Sequence, residues 1–365
     1  GLIRAQIANI AIATAFFYLI PWYGISPKTT LFVYLLISLG LILGWRFYGY
    51  RLVAPRSRER VIVIGSGREA REIVDSLPGQ SSETGVVVYI DASKTHDDIF
   101  SEIKSKRATL IIADLHDQKV QELMSKLYNL LFEQVRFIDM DRVYEEMFGR
   151  VPLSLVRHNW FLENISTAPK AVYDSLKRLM DIIVSVVLGA ISLVAYPFVA
   201  LAIKIEDKGP VFILQERIGR GDRVIRIIKF RSMSVASQDS TGASKPQSVT
   251  RVGAFIRKTR IDELPQLWNV IKGDLSLIGP RPELPQFVRM YEAEIPFYKI
   301  RHVIQPGLSG WAQIYHKTPP KFAASSEDTA AKLSYDLYYI KNRSLILDLN
   351  IALRTIGEVL SRKGV

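Results

Sequence analysis

Three long apolar runs limit what this chain can become more than any other feature. Residues Gln6 to Tyr23 and Thr30 to Tyr48 are almost free of charge. Each comes close to the ~20 residues needed to cross a hydrocarbon core of about 30 Å. Between them, Pro21-Trp22-Tyr23-Gly24-Ile25-Ser26-Pro27-Lys28 is rich in turn formers and interfacial aromatics, so the pair reads as a helical hairpin. Arg46, Arg51, Arg56, Arg58 and Arg60 follow, a positive cluster expected to stay in the cytoplasm. The alternative is a pair of core helices in a soluble protein, where runs this long and uncharged are uncommon. The chain opens on Gly1 without a cleavable signal pattern, which suggests that its true N-terminus lies upstream.

The third run, Ile182 to Ile203, contains Pro197. Lys170, Lys177 and Arg178 precede it, and Lys204, Lys208, Arg217, Arg220 and Arg223 follow. Neither flank wins a positive-inside comparison, so both ends can lie in the cytoplasm. Proline interrupts the backbone ladder and can bend such a helix sharply. A re-entrant helix over residues 179–204, broken at Pro197, accounts for both features. A kinked full span is the alternative, and it would place the following basic segment across the membrane.

Between these runs the pattern changes. Val61-Ile62-Val63-Ile64, Val86 to Ile90, Leu110 to Ala113 and Val135 to Ile138 read as short strands separated by helices, one of them Gln118 to Leu131. That alternation implies a parallel sheet of Rossmann type. Gly65-Ser66-Gly67-Arg68-Glu69-Ala70 has the form GxGxxA, with Asp91 downstream, as in a dinucleotide fingerprint. The same glycines would also serve a tight turn with no ligand, so Gly65, Gly67 and Asp91 stand as cofactor-binding candidates beside a purely structural reading.

With 365 residues the chain has room for two or three units. A net charge of +12 calls for an anionic partner, and the basic runs lack a nucleic-acid module, so phosphates or lipid headgroups fit better than nucleic acid. The absence of cysteine excludes thiol nucleophiles, disulfides and thiolate zinc sites.

The C-terminal half carries the densest motifs: QERIG from Gln215, KFRSM from Lys229, RKTRIDELPQLWNV from Arg257 and KGDLSLIGPRP from Lys272. A diphosphate substrate needs fixed cations, for which Lys229, Arg231 and Arg281 are candidates, and usually a divalent ion held by carboxylates. Asp262 and Glu263 supply such carboxylates, and a carboxylate can also attack phosphorus. Pro265 suits a first helical turn, which would put the acid pair at a helix N-terminus. Ordinary helix capping explains an isolated acid pair equally well. The apolar positions Val252, Phe255, Ile256, Leu264, Leu267, Trp268 and Ile271 would let the flanking helices lie on a membrane. Asp336, in Tyr335-Asp336-Leu337-Tyr338-Tyr339, either organises a site or packs. Leu345 to Leu360 reads as an amphipathic core or interfacial helix. His302 and His316 have no partner at metal-ligand spacing.

From about Lys177 to Val365, the KFRSM, IDELPQLWNV, KGDLSLIGPRP and PGLSGWAQ strings resemble the bacterial sugar transferases, monotopic polyprenyl-phosphate hexose-1-phosphate transferases. The upstream hairpin and Rossmann-like unit resemble the long form, which starts exopolysaccharide, capsule or O-antigen synthesis. The resemblance implies a ping-pong reaction: Asp262 as nucleophile on the β-phosphate of a UDP-hexose, Glu263 supporting Mg2+, Lys229 and Arg281 on the diphosphate, and polyprenyl (undecaprenyl) phosphate as acceptor. It also implies an inner-membrane protein with its catalytic face in the cytoplasm. After Gln313 the sequence departs from the Asn-Gly-Arg of several relatives.

The expected architecture is an α/β membrane protein. It comprises a transmembrane hairpin (1–50), a Rossmann-like domain (59–147), a linker (148–172) and a mostly helical catalytic domain (173–365). A Rossmann-like unit on a hairpin could support a homodimer. The rival readings are a membrane-anchored NAD-dependent sugar-nucleotide oxidoreductase or epimerase, which lacks a Tyr-x-x-x-Lys pair after the Rossmann unit, and a nucleotide-sensing scaffold.

Overall fold

The computed structural model describes residues 27–45, 59–65, 67–77, 84–92, 96–133, 135–165, 170–234, 248–316 and 325–360. The chain divides into two compact units, Gly1–Glu59 and Arg60–Val365. In the first, helix α1 (Pro27–Gly44) falls on the expected second arm, starting ahead of Thr30 with proline in its first turn, but it is not by itself long and apolar enough to cross a membrane. The first arm, Gln6 to Tyr23, and the arginines from Arg46 to Arg58 lie outside the described residues.

The second unit begins with a four-stranded sheet. Strand β1 (Glu59–Ile64) leads to α2 (Arg68–Ser76), β2 (Thr84–Ile90), α3 (His96–Lys106), β3 (Leu110–Ala113), α4 (Gln118–Asn129), β4 (Arg136–Asp139) and α5 (Met140–Phe148). The strand order is β2-β1-β3-β4, with β1–β3 and β3–β4 parallel. Val61, Ile62, Val63 and Ile64 are all buried, as expected of a β-branched strand covered on both faces. Val61 and Val63 pack with Ile73 of α2 and Met140 and Tyr144 of α5. Ile62 and Ile64 face the other way, toward Ile99 and Ile103 of α3 and Leu123 of α4. Helices therefore cover both faces, the doubly wound arrangement read from the sequence.

Residues 151–164 do not behave as the expected linker. Helix α6 (His158–Asn164) buries Trp160 and Phe161 in the core of the C-terminal half, and the Val151 N–H donates to the Ser334 carbonyl. The aromatic pair supplies the apolar area that a free linker would lack.

Helices α7 (Ala171–Leu193) and α8 (Tyr196–Asp207) meet at a bend of 56°. The break lies at Val194-Ala195, just before Pro197, which sits in the first turn of α8. A proline ring collides with the carbonyl four residues back, and here that residue is Leu193, the last of α7. Among the described residues no single helix is long and apolar enough to cross a membrane; α7 and α8 together are, as a bent pair.

An antiparallel hairpin of β5 (Phe212–Ile218) and β6 (Val224–Phe230) follows, then α9 (Arg251–Lys258), α10 (Gln266–Lys272), β7 (Ser276–Ile278) and α11 (Pro285–Glu294). Strand β8 (Gly307–Ser309) pairs in parallel with β7, and α12 (Trp311–Tyr315), α13 (Ser326–Asn342) and α14 (Leu345–Leu360) complete the chain. One of these helices is inside out, and another turns much of its apolar surface outward. Helix α7 buries Asp181, Ser185 and Ser192 while Ile183, Val187 and Ile191 are exposed. Helix α14 buries Asp348 and Ile351 and exposes Ile346, Leu349, Leu353 and Ile356. The apolar stripe read from the sequence of α14 therefore faces largely outward.

Candidate active site

The acid pair is placed by a short chain of local constraints. Thr250 caps α9, its hydroxyl accepting from the Gly253 N–H, and Glu206 at the end of α8 accepts from the Arg251 and Val252 N–H groups at 2.7 and 3.0 Å. Gly253 must be glycine: a Cβ there would lie 2.0 Å from the Ser232 carbonyl oxygen, so α9 crosses the end of β6 at backbone contact. Arg260 then adopts a left-handed conformation (φ +57) and turns the chain into a 3₁₀ turn, Ile261–Glu263.

Asp262 and Glu263 thus sit in a 3₁₀ turn ahead of α10, whose N-cap is Pro265, rather than in an α-helical first turn. The expected helix-dipole contribution gives way to burial and side-chain charge. Asp262 is buried, and its Oδ1 has no hydrogen-bond partner among the described residues. Burial, then the Glu263 carboxylate, pushes its pKa up to about 6 against the pull of Lys229, Arg257 and Arg260. Burial also opposes the charge on Glu263, but Arg281, bonded to its Oε1, holds it below the usual carboxylate range. The Arg260 guanidinium lies 3.8 Å from the same oxygen.

Lys229 comes from β6, where its register partner is Ile213. Burial, then repulsion from Arg217 and Arg281, lowers it to about 8. Asn269 of α10 locks β6 in place: its Oδ1 accepts from the Ile228 N–H at 3.0 Å and its Nδ2 donates to the Arg226 carbonyl at 2.8 Å. Arg178 of α7 closes the other end of α10, donating to the Val270 and Ile271 carbonyls at 2.6 and 2.7 Å. Lys177 pairs with the buried Asp348 at 3.1 Å. Both of these basic residues, read from sequence as topology signals, make internal bonds.

The loop bearing Arg281 is held by backbone contact and by a buried ion pair. A Cβ on Gly307 would lie 2.1 Å from the Gly279 nitrogen, so β7 and β8 approach as only glycines allow. Arg301 donates to the Arg281 carbonyl and meets Asp336, both at 2.9 Å. Asp336 therefore sits one layer behind the site, joined to it through Arg301. Asn269 and Arg301 carried no sequence signal beyond position inside or beside the motif strings, and Arg257 and Arg260, expected from sequence at the lipid headgroup level, act on Asp262 instead.

Lys229, Asp262, Glu263 and Arg281 come together, but Arg231 does not join them. It is buried 3.3 Å from Asp207 at the end of α8, and neither of its Nη nitrogens makes a hydrogen bond among the described residues. Pro197 lies at the helix break, away from the acid pair in sequence. Gly65 and Gly67 close on their own domain. A Cβ on Gly65 would meet Met140 Cε at 2.7 Å, and one on Gly67 would meet Glu69 Oε2 at 2.9 Å. Glu69, in the first turn of α2, adds negative charge where a pyrophosphate would need positive charge. Asp91 follows β2 next to this turn, with the Ala92 N–H donating to the Gly65 carbonyl.

A divalent ion fits the acid pair on one count. Asp262 offers an unpartnered buried oxygen, whereas Glu263 is engaged by two arginines. His302 has a partner the sequence did not suggest: its Nδ1 is 2.7 Å from Asp222 Oδ1. Lys299 bonds the other Asp222 oxygen, also at 2.7 Å, and supplies the cation there.

The family model for bacterial sugar transferases matches residues 172–362. The chain is 42% identical over 270 residues to a UDP-N-acetylgalactosamine-undecaprenyl-phosphate N-acetylgalactosaminephosphotransferase of Aeromonas hydrophila, covering 72% of this chain and 62% of that protein. It is 37% identical over 225 residues to an undecaprenyl-phosphate glucose phosphotransferase of Komagataeibacter xylinus, covering 57% and 42%. A UDP-galactose-lipid carrier transferase of Erwinia amylovora is 29% identical over 348 residues, covering 84% and 69%. The chain spans less than two thirds of the length of the Aeromonas and Komagataeibacter proteins. The matched region contains the acid pair, Lys229 and the Arg281 loop, and the chain belongs to the bacterial sugar transferase family.

Proposed function

We propose that this chain transfers a hexose-1-phosphate from a UDP-sugar to polyprenyl phosphate through a covalent intermediate on Asp262. The observation that carries this reading is a buried carboxylate with an unpartnered oxygen, flanked by Lys229 and by the Glu263–Arg281 pair. With its pKa at about 6, the carboxylate is ionised at neutral pH yet poorly solvated, which suits a nucleophile.

In the first half-reaction an Asp262 oxygen attacks the β-phosphorus. The bond from that phosphorus to the bridging oxygen breaks, and UMP leaves with the bridging oxygen and the electron pair. In the second, an oxygen of polyprenyl phosphate attacks the same phosphorus and the Asp262 carboxylate is released, giving a polyprenyl diphosphate sugar. Lys229 and Arg281 hold the phosphate oxygens, and Glu263 fixes Arg281 in place. Mg2+, held by Asp262 with Glu263 beside it, would shield the diphosphate charge.

The inverted helix α7 and the exposed apolar residues of α14 support a membrane setting, because so much outward apolar surface is stable only where the surroundings are apolar. We place α7 and α8 in the inner membrane as a re-entrant pair, with the acid pair at the cytoplasmic surface where a lipid phosphate lies. UMP release over a panel of UDP-hexoses and UDP-N-acetylhexosamines tests the chemistry. One sugar should support release that stops at one equivalent without acceptor and continues with it. Release that requires acceptor from the start contradicts the two-step reading. Single cysteines placed at Ala171 and Lys208 of this cysteine-free chain should both react with a membrane-impermeant thiol reagent from the cytoplasmic side; reaction from opposite sides contradicts the re-entrant pair.

A further inference from the structure

Among the described residues, two groups of side chains outside the acid-pair site lie at metal-ligand spacing, Asp114–His116–Asp139 and Asp222–Glu292–His302. We propose that Asp114, His116 and Asp139 form a divalent transition-metal site of the zinc type on the parallel-sheet domain, a function separate from the transferase reading.

The sheet builds it. Strands β3 and β4 end side by side, with Ala113 paired to Asp139, so Asp114 and Asp139 both emerge at the carboxyl edge. In open α/β sheets that edge is where ligands collect. The turn between β3 and α4 carries His116 back over the two carboxylates. One ligand atom from each residue lies within 4.8 Å of the other two. His116 Nδ1 is 3.3 Å from Asp139 Oδ2, matching the edge of roughly 3.4 Å of a tetrahedron with metal–ligand bonds of about 2.1 Å.

The turn is already organised. The His116 N–H donates to Asp114 Oδ1 at 3.0 Å, and the Leu115 N–H bonds to Asp139. Asp114 is only 8% exposed. Asp139 Oδ1 is buried with no hydrogen-bond partner among the described residues, and although Asp139 is the N-cap residue of α5 its side chain makes no capping hydrogen bond. A buried carboxylate oxygen without a donor needs a cation or a proton. The surroundings favour a cation. Asp117 and Asp141 add negative charge, and Arg157 is the basic side chain that acts on Asp114 besides His116. This differs from the Asp222–Glu292–His302 group, where Lys299 already bonds Asp222. One imidazole and two carboxylates form a mixed nitrogen–oxygen set suited to Zn2+ or Co2+ more than to Mg2+.

The test is a titration of the tag-free, detergent-purified full chain with Co2+, followed by its visible absorption, and with Zn2+ against a chromogenic chelator. The wild type should take up one equivalent with the bands of a tetrahedral nitrogen–oxygen site. His116→Ala and Asp139→Asn should weaken uptake at least ~10-fold. His116 is half exposed, so its alanine variant should fold and release UMP in Mg2+ like the wild type. Asp262→Asn should bind Co2+ normally, which separates this site from the acid pair. Undiminished uptake by His116→Ala, loss of uptake in Asp262→Asn, or no uptake by the wild type would each overturn the proposal.

Discussion

Two turns in this molecule present an acid beside a helix start, and they have opposite characters. The glycine turn after β1 resembles a nucleotide loop in sequence, yet in space it is filled by Met140 and leaned on by Glu69. The turn after α9 reads in sequence as an ordinary cap, yet it holds a buried carboxylate oxygen with no hydrogen-bond partner among the described residues. What separates them is satisfaction. At the first turn the space beside Gly65 and Gly67 is taken by Met140 and Glu69, while the second keeps a buried carboxylate close to a second acid.

The comparison breaks most visibly if the second turn can be disarmed without loss. Asp262→Asn should lower UMP release about 10,000-fold, because it removes the nucleophile while keeping the shape. Arg281→Ala should lower kcat/KM by about 100- to 1,000-fold, since it removes a phosphate ligand and leaves Glu263 buried without its partner. The pH profile sharpens the contrast. Activity should fall about tenfold per unit below pH 6 as Asp262 gains a proton, and decline again above pH 8 as Lys229 loses one. A flat profile across that range would remove the carboxylate and the lysine from the chemistry.

Stability should run the other way. A carboxyl whose folded pKa is raised from 3.8 to about 6 favours folding below the unfolded value, and that contribution is lost as pH rises through about 6. Asp262→Asn should therefore be more stable than the wild type at pH 8 by roughly 1–3 kcal/mol in urea unfolding, with the gain gone near pH 4. The smallest effects belong to the glycine turn. Gly65→Ala should cost about 1 kcal/mol through Met140 and leave kcat unchanged, and Gly67→Ala should alter neither. A tenfold loss of UMP release in Gly67→Ala would restore the nucleotide reading.

Much of the fold was legible because its signals are periodic. Four short apolar strands alternating with helices indicated the parallel sheet, two of them buried throughout, and Pro197 indicated the bend, although proline's clash with Leu193 moved the break ahead of the proline itself. The stretch before Lys170 was less legible, because Trp160 and Phe161 are isolated apolar residues whose partners lie far along the chain. Within the site, the motif strings pointed to Lys229, Asp262, Glu263 and Arg281. They also pointed to Arg231, and only the three-dimensional structure shows that it lies 3.3 Å from Asp207. Asn269 and Arg301 were invisible for the same reason. Each works by reaching across more than 20 positions to a backbone carbonyl or a buried acid, and a one-dimensional pattern does not record such reach.

The central claim is that Asp262 carries phosphosugar during turnover. Intact-protein and peptide mass spectrometry of enzyme quenched with UDP-sugar and Mg2+ but no acceptor should show the mass of one hexosyl phosphate on the peptide containing Asp262, and none in Asp262→Asn. Product forming at full rate while that peptide stays unmodified at every quench time would contradict the account.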